Sequence, residues 1–172
     1  MEPMEVFGDG PGKTATIVAW QNGAATRFEG RWGLKPFRPD ERSYNLLKAE
    51  GRKIINPCLI VATEFMISGP GDSKKRHRVT FNTPDPFFCF AGVWQPATDD
   101  WPLAFAGLTV EANPDIAPFK ERHLAVVRRA DYQAWMMGTG STEEILRPHP
   151  LGSFTIEGGP KRAAAVSDLF AA

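Results

Sequence analysis

The sequence predicts an α+β domain with a mostly antiparallel, barrel-like β core and short helices at its periphery. Three observations lead there. Short apolar β-type runs recur along the whole chain, turn signals separate them at close intervals, and there is no regular alternation of strands with long helices. The chain has 172 residues, 42% of them hydrophobic and 11% aromatic, enough apolar surface for one substantial core. It is therefore read as a single domain, 1–172, with 1–13 and 158–172 loosely ordered at its ends.

Thr14 to Trp20 (TATIVAW) reads as a strand, and Gln21-Asn22-Gly23 turns it into a second, Ala25 to Trp32. Pro36 and Pro39, among Lys35, Arg38 and Arg42, make Gly33 to Arg42 an irregular exposed segment. Ser43 is placed to cap a short helix, YNLLKAEG, with Leu46 and Leu47 facing inward and Gly51 ending it. Cys58 to Ile67 (CLIVATEFMI) reads as one strand, closed by the turn-rich Ser68 to Ser73. Lys74 to Arg78 form a basic cluster that leads into the next strand, and Phe87 to Trp94 forms another buried one.

Asp99 to Pro102 is a turn. Beyond it, two apolar runs, Leu103 to Val110 and Leu124 to Val127, hold a loop crowded with functional groups: Glu111, Asn113, Asp115, Lys120, Glu121, Arg122 and His123. Pro114 and Pro118 restrict the backbone there, and a loop tethered to core strands at both ends presents side chains in fixed positions. Asp131 is expected to cap DYQAWMM, with Trp135 and Met136 turned inward, and Ser141 to Leu146 forms one further helical turn. A last short helix, AAAVSDLF, is expected in the tail.

The formal net charge is zero, so contact with nucleic acid has to come from a local basic patch. Cys58 and Cys89 each lie inside an apolar run, which fits buried thiols in a reducing compartment, hence the cytoplasm. The opening residues lack the pattern of a signal peptide, no run is long enough to span a membrane, and no membrane association is expected. Phosphate-loop, paired-cysteine, HExxH and GxSxG motifs are absent. His77, His123 and His149 have no companion spacing, so neither a metal site nor a cofactor is expected. What remains is basic side chains interleaved with aromatics: Arg31-Trp32, Lys35 to Arg38, Lys48, Arg52-Lys53 and Lys74 to Arg78. Cations neutralise phosphates while aromatic faces stack on unpaired bases, a mixture suited to single-stranded nucleic acid.

Eight segments in order then resemble the SRAP family, the SOS response-associated peptidases that shield abasic sites in single-stranded DNA. They are RWGL (Arg31 to Leu34), KAEGR (Lys48 to Arg52), CLIVATEF (Cys58 to Phe65), KRHRVTF (Lys75 to Phe81) and FAGVW (Phe90 to Trp94). LTVEANPDIAPFKER (Leu108 to Arg122), DYQAW (Asp131 to Trp135) and LRPHP (Leu146 to Pro150) complete the set. The resemblance implies a SRAP-like domain of the DNA-damage response that binds single-stranded or abasic-site DNA.

The same resemblance implies that the chemistry is lost. Family members trap the ring-opened sugar with the amine and thiol of a cysteine at position 2, and here that position is Glu2. A carboxylate cannot replace sulfur in the ring closure. The family's asparagine matches Leu46, with Asn45 one residue earlier. Its glutamate matches Ile67, with Glu64 three residues away on a face that the alternation of a single strand would reverse. Its histidine matches Lys120, while Arg122 is kept and His123 lies three residues on.

The expected DNA contacts are Trp32 at a base step, Lys48 on phosphate, and Arg76, Arg78, Lys120 and Arg122 along the groove. An active enzyme would need Asn45, Glu64 and His123 gathered in one pocket. A third reading is a non-catalytic scaffold or phage-related accessory protein that binds a protein partner, and an apolar patch with Trp101 or Phe119 exposed would favour it.

Overall fold

A computed structural model describes residues 12–71 and 73–157. β1 (Thr14–Gln21) and β2 (Ala24–Trp32) pair along their whole length, from Thr14 opposite Arg31 to Gln21 opposite Ala24. Asn22 and Gly23, with φ of 51° and 79°, form the two-residue turn that matches the twist of a hairpin.

β3 (Leu46–Lys48) follows, then β4 (Pro57–Ala62), β5 (Phe65–Ser68), β6 (Arg76–Phe81), β7 (Phe88–Gln95) and β8 (Ala104–Glu111). β1 pairs with β4, β4 with β7, β7 with β8, and β8 with β2, so five strands close on themselves. The barrel-like core expected from sequence is this ring. Among the described residues, the parallel pairings are β2 with β8 and β3 with β8. β9 (Arg122–Leu124) adds to β8, and β10 (Val126–Val127) to β7. β5, β6 and β11 (Phe154–Ile156) form a separate three-stranded sheet.

β4 shows why the central strands read as unbroken apolar runs. Cys58, Ile60 and Ala62 face one core cluster, with Trp32, Phe65, Phe90 and Phe105, while Leu59 and Val61 face a second, with Leu108, Trp135 and Met136. A strand buried on both faces has no polar side. The second cluster is covered by α1 (Tyr132–Met137), which follows a 3-10 turn at Arg129–Asp131; Trp135 Nε1 donates to the Cys58 carbonyl at 2.8 Å. α2 (Thr142–Ile145) begins as expected, with the Ser141 hydroxyl accepting the Glu144 N–H.

Four local expectations are corrected. The segment read as the helix YNLLKAEG contains β3, because the free edge of β8 offers it partners. Leu46, Leu47 and Lys48 pair with Gly107, Leu108 and Thr109, and Asn45 and Ala49 extend the ladder on either side. So short a segment nucleates a helix poorly by itself, and Ser43 donates to Asn45 Oδ1 instead of capping.

The single strand Cys58 to Ile67 is two strands, broken at Thr63 and Glu64 where the chain leaves the barrel for the second sheet. Leu124 to Val127 is likewise split at Ala125, which donates to the Leu108 carbonyl and accepts from the Ala91 N–H. Asp131 makes no side-chain cap; its carboxylate pairs with Arg147 at 3.4 Å. The helix AAAVSDLF, most of the two terminal segments and Glu2 lie outside the described residues.

Candidate functional site

Loop 112–121 is built to hold a shape. Asn113 Oδ1 accepts the Ile116 N–H at 3.1 Å, and successive turns bring the Phe119 and Lys120 N–H groups to the Ile116 carbonyl. Ile116 and Phe119 anchor the turns in the core. The Asp115 carboxylate accepts the N–H groups of Gly152 and Phe154 at 3.0 and 3.1 Å and Asn113 Nδ2 at 2.9 Å. One carboxylate thereby joins the loop to β11. Gly69 approaches from the second sheet so closely that a Cβ there would lie 2.5 Å from the Phe119 carbonyl oxygen.

The loop delivers Lys120 to the edge of a cleft of about 270 Å³. β3 contributes Leu46, Leu47 and Lys48, and β5 contributes Phe65, Met66 and Ile67. Thr109 of β8 and Arg122, His123 and Leu124 of β9 complete the lining. The floor is apolar and the rim cationic. Beneath it, Gly107 lets the floor close up: a Cβ at that position would overlap the Leu124 side chain and lie 3.6 Å from the Trp32 ring.

Arg122 is fixed in place. Its guanidinium donates to the Thr109 carbonyl at 2.8 Å and Thr109 Oγ1 at 3.2 Å, and pairs with Glu50 at 2.6 Å. Its acidic partner is thus Glu50. Hydrogen bonding from Arg122 holds the Glu50 carboxyl below the usual carboxylate range. Lys48 and Lys120 are exposed at the rim.

The cleft thus brings together Lys48, Lys120 and Arg122 and leaves out the other expected DNA contacts. Trp32 is fully buried, with Nε1 donating to the Asn45 carbonyl at 2.9 Å and its ring 5.3 Å from Phe105, so it supports the floor from inside and has no free face for a base. Arg76 is exposed on β6, across from Ser68 in the second sheet. Arg78 reaches Glu64 at 2.7 Å.

The relocated catalytic set is not assembled. The Asn45 side chain accepts from Ser43, and Glu64 holds Arg78. His123 lines the cleft but is buried. Its Nε2 accepts the Asn113 N–H at 3.2 Å, and Nδ1 donates to the Leu124 carbonyl at 2.7 Å, so both ring nitrogens serve the loop. Burial depresses its basicity, and nearby Lys120 and Arg122 depress it further. Burial also pushes the thiols of Cys58 and Cys89 up, that of Cys89 to about 12, which removes the thiolate as a nucleophile.

The residues that sequence reasoning missed form the floor. Leu46 and Ile67 stand where the resemblance puts catalytic groups, and those positions are the signal in the sequence that points to the lining. Phe119 is buried edge-on to His77, and Trp101 is partly covered by Arg31 with Nε1 on the Gly33 carbonyl, so neither makes an exposed apolar patch.

No protein-family model matches the chain, and no curated protein does. Solved structures do. A protein from Bordetella bronchiseptica superimposes with a TM-score of 0.69 at 19% identity, covering 85% of this chain and 83% of that one. A phage-related protein from the same organism gives 0.63 at 19% identity, over 85% and 78%. A protein from Bacteroides thetaiotaomicron gives 0.60 at 17%, over 84% and 73%. What is shared is the fold. At these identities the likeness assigns no activity.

Proposed function

We propose that the chain is a SRAP-like protein of the DNA-damage response that binds single-stranded or abasic-site DNA in this cleft, with the family's cross-linking and autopeptidase chemistry lost. One observation carries the reading. Positions 46, 67 and 120, where the resemblance puts the family's asparagine, glutamate and histidine, lie on β3, on β5 and in loop 112–121, yet all three line a single cleft beside Lys48 and Arg122. The site has kept its place and its cations while its proton-transfer groups have become leucine, isoleucine and lysine. A lysine at the rim binds phosphate well but is a poor proton shuttle near neutral pH.

The scaffold reading has less support. One solved neighbour is called phage-related, but the aromatic patch that would favour a protein partner is missing at Trp101 and Phe119.

The test is binding of the purified protein to single-stranded DNA at two salt concentrations. The log-log slope is expected to fall by about 0.7 for each phosphate contacted, and absence of binding at low salt would sink the reading. Incubation with an abasic oligonucleotide is expected to leave no adduct on a denaturing gel. A surviving adduct would show that the chemistry persists.

A further inference from the structure

Resting on that DNA-binding reading, we infer that the cleft takes an intact unpaired nucleobase in preference to a base-less sugar. The argument is polar satisfaction. A ring-opened or hemiacetal sugar brings hydroxyl and carbonyl groups that need hydrogen-bond partners once they leave water, and burying them unpaired is costly. Below the rim, the side chains of the lining have almost none to offer. Thr109 Oγ1 already accepts from Arg122, and both ring nitrogens of His123 are engaged by the Asn113 and Leu124 backbone.

The surfaces that remain are the side chains of Leu46, Ile67 and Leu124, which suit the flat apolar face of a heteroaromatic ring. Leu46 is 48% exposed at the mouth, where an inserted ring would cover it. At about 270 Å³ the space falls just below the range of about 300–1,000 Å³ typical of drug-sized ligands, which fits one ring and excludes a base pair. The cations sit at the edge, where the phosphates flanking an inserted base would run. The apolar replacements at positions 46 and 67 are therefore a change of ligand as well as a loss of chemistry.

The experiment compares a thymidine hexamer with a hexamer of tetrahydrofuran abasic units, which has the same phosphates and no bases, by competition against a labelled strand. The wild-type protein is expected to bind the thymidine hexamer about tenfold more tightly, the order of one base contact. Leu46→Asn, at a half-exposed position where folding is not at stake, is expected to bring the ratio close to one while leaving the salt slope unchanged. Equal or tighter binding of the base-less hexamer, or a preference that survives Leu46→Asn, overturns the inference and leaves DNA binding standing. Failure of both oligomers to bind at low salt removes the parent reading as well.

Discussion

Two cationic regions of this molecule look alike in composition and differ in what they can do. In the Lys74 to Arg78 run and the start of β6, basic residues are contiguous, but the strand sends alternate side chains apart. His77 is buried with its ring nitrogens on the Gly69 and Glu157 carbonyls, and Arg78 is drawn to Glu64 at 2.7 Å. At the cleft, Lys48 of β3 meets Lys120 and Arg122, from the end of loop 112–121 and the start of β9, around an apolar floor. Alternation along the strand buries His77 and leaves Arg76 and Arg78 on one exposed face, where Glu64 takes up Arg78, whereas separate elements can aim their charges at one point.

The largest expected effect tests this contrast directly. Replacing Lys48 and Lys120 together by alanine is expected to weaken single-stranded DNA binding about tenfold to hundredfold and to reduce the salt slope by about 1.4, two contacts at about 0.7 each. Replacing Lys74, Lys75 and Arg76 by alanine should change the slope little. The reverse ranking, measured by anisotropy titrations across salt, would move the binding face to the second sheet.

Next in size is a loss of stability. The loop that carries Lys120 is tied to β11 through Asp115, whose carboxylate receives two backbone N–H groups and the Asn113 amide. Asp115→Ala leaves those donors without their acceptor and is expected to cost about 2–3 kcal/mol. In a domain of this size, each kcal/mol lowers Tm by about 2–4 °C. A melting temperature within a degree of wild type would show that the loop is held by Ile116 and Phe119 alone.

Much of the frame was legible because strands buried on both faces announce themselves as apolar runs, as in Cys58 to Ala62 and Phe88 to Val93, and because Asn22-Gly23 has few conformations open to it. Errors fell where long-range pairing decides local structure. Leu46-Leu47-Lys48 has no strand signature, and the edge of β8 makes it a strand. The break at Thr63-Glu64 is a change of sheet, visible only once β6 is in place to receive β5. The same limit governed the site: Arg122 and Lys120 could be picked out by charge, but Trp32, a basic residue's neighbour in sequence, turns inward to support the floor.

A pH effect of intermediate size separates the buried histidines behind the loop from the exposed lysines in front of it. Burial depresses the basicity of His123 and of His149, whose Nε2 donates to the Val126 carbonyl at 2.7 Å. Below the ordinary histidine pKa of about 6.5, the unfolded chain takes up protons that the folded protein refuses. Stability is therefore complete above about pH 6.5 and falls as the pH drops below it, by at most about 1.4 kcal/mol per pH unit for each histidine. His149→Phe should make the dependence shallower. A wild-type Tm that is flat between pH 7 and 5 would contradict the burial seen here.

The smallest effect concerns an acidic group that competes at the rim. Glu50 holds Arg122 at 2.6 Å and is itself 53% exposed, so the pair is screened by water and contributes little to folding. An incoming phosphate must share the guanidinium with that carboxylate. Because Arg122 is also bonded to the Thr109 carbonyl and hydroxyl, it should keep its place when the carboxylate is removed. Glu50→Gln is expected to tighten binding to single-stranded DNA about threefold, with Tm unchanged and the salt slope slightly steeper. Weaker binding would mean that Glu50 is needed to aim Arg122, and the rim would then depend on the ion pair as well as on the β8–β9 ladder.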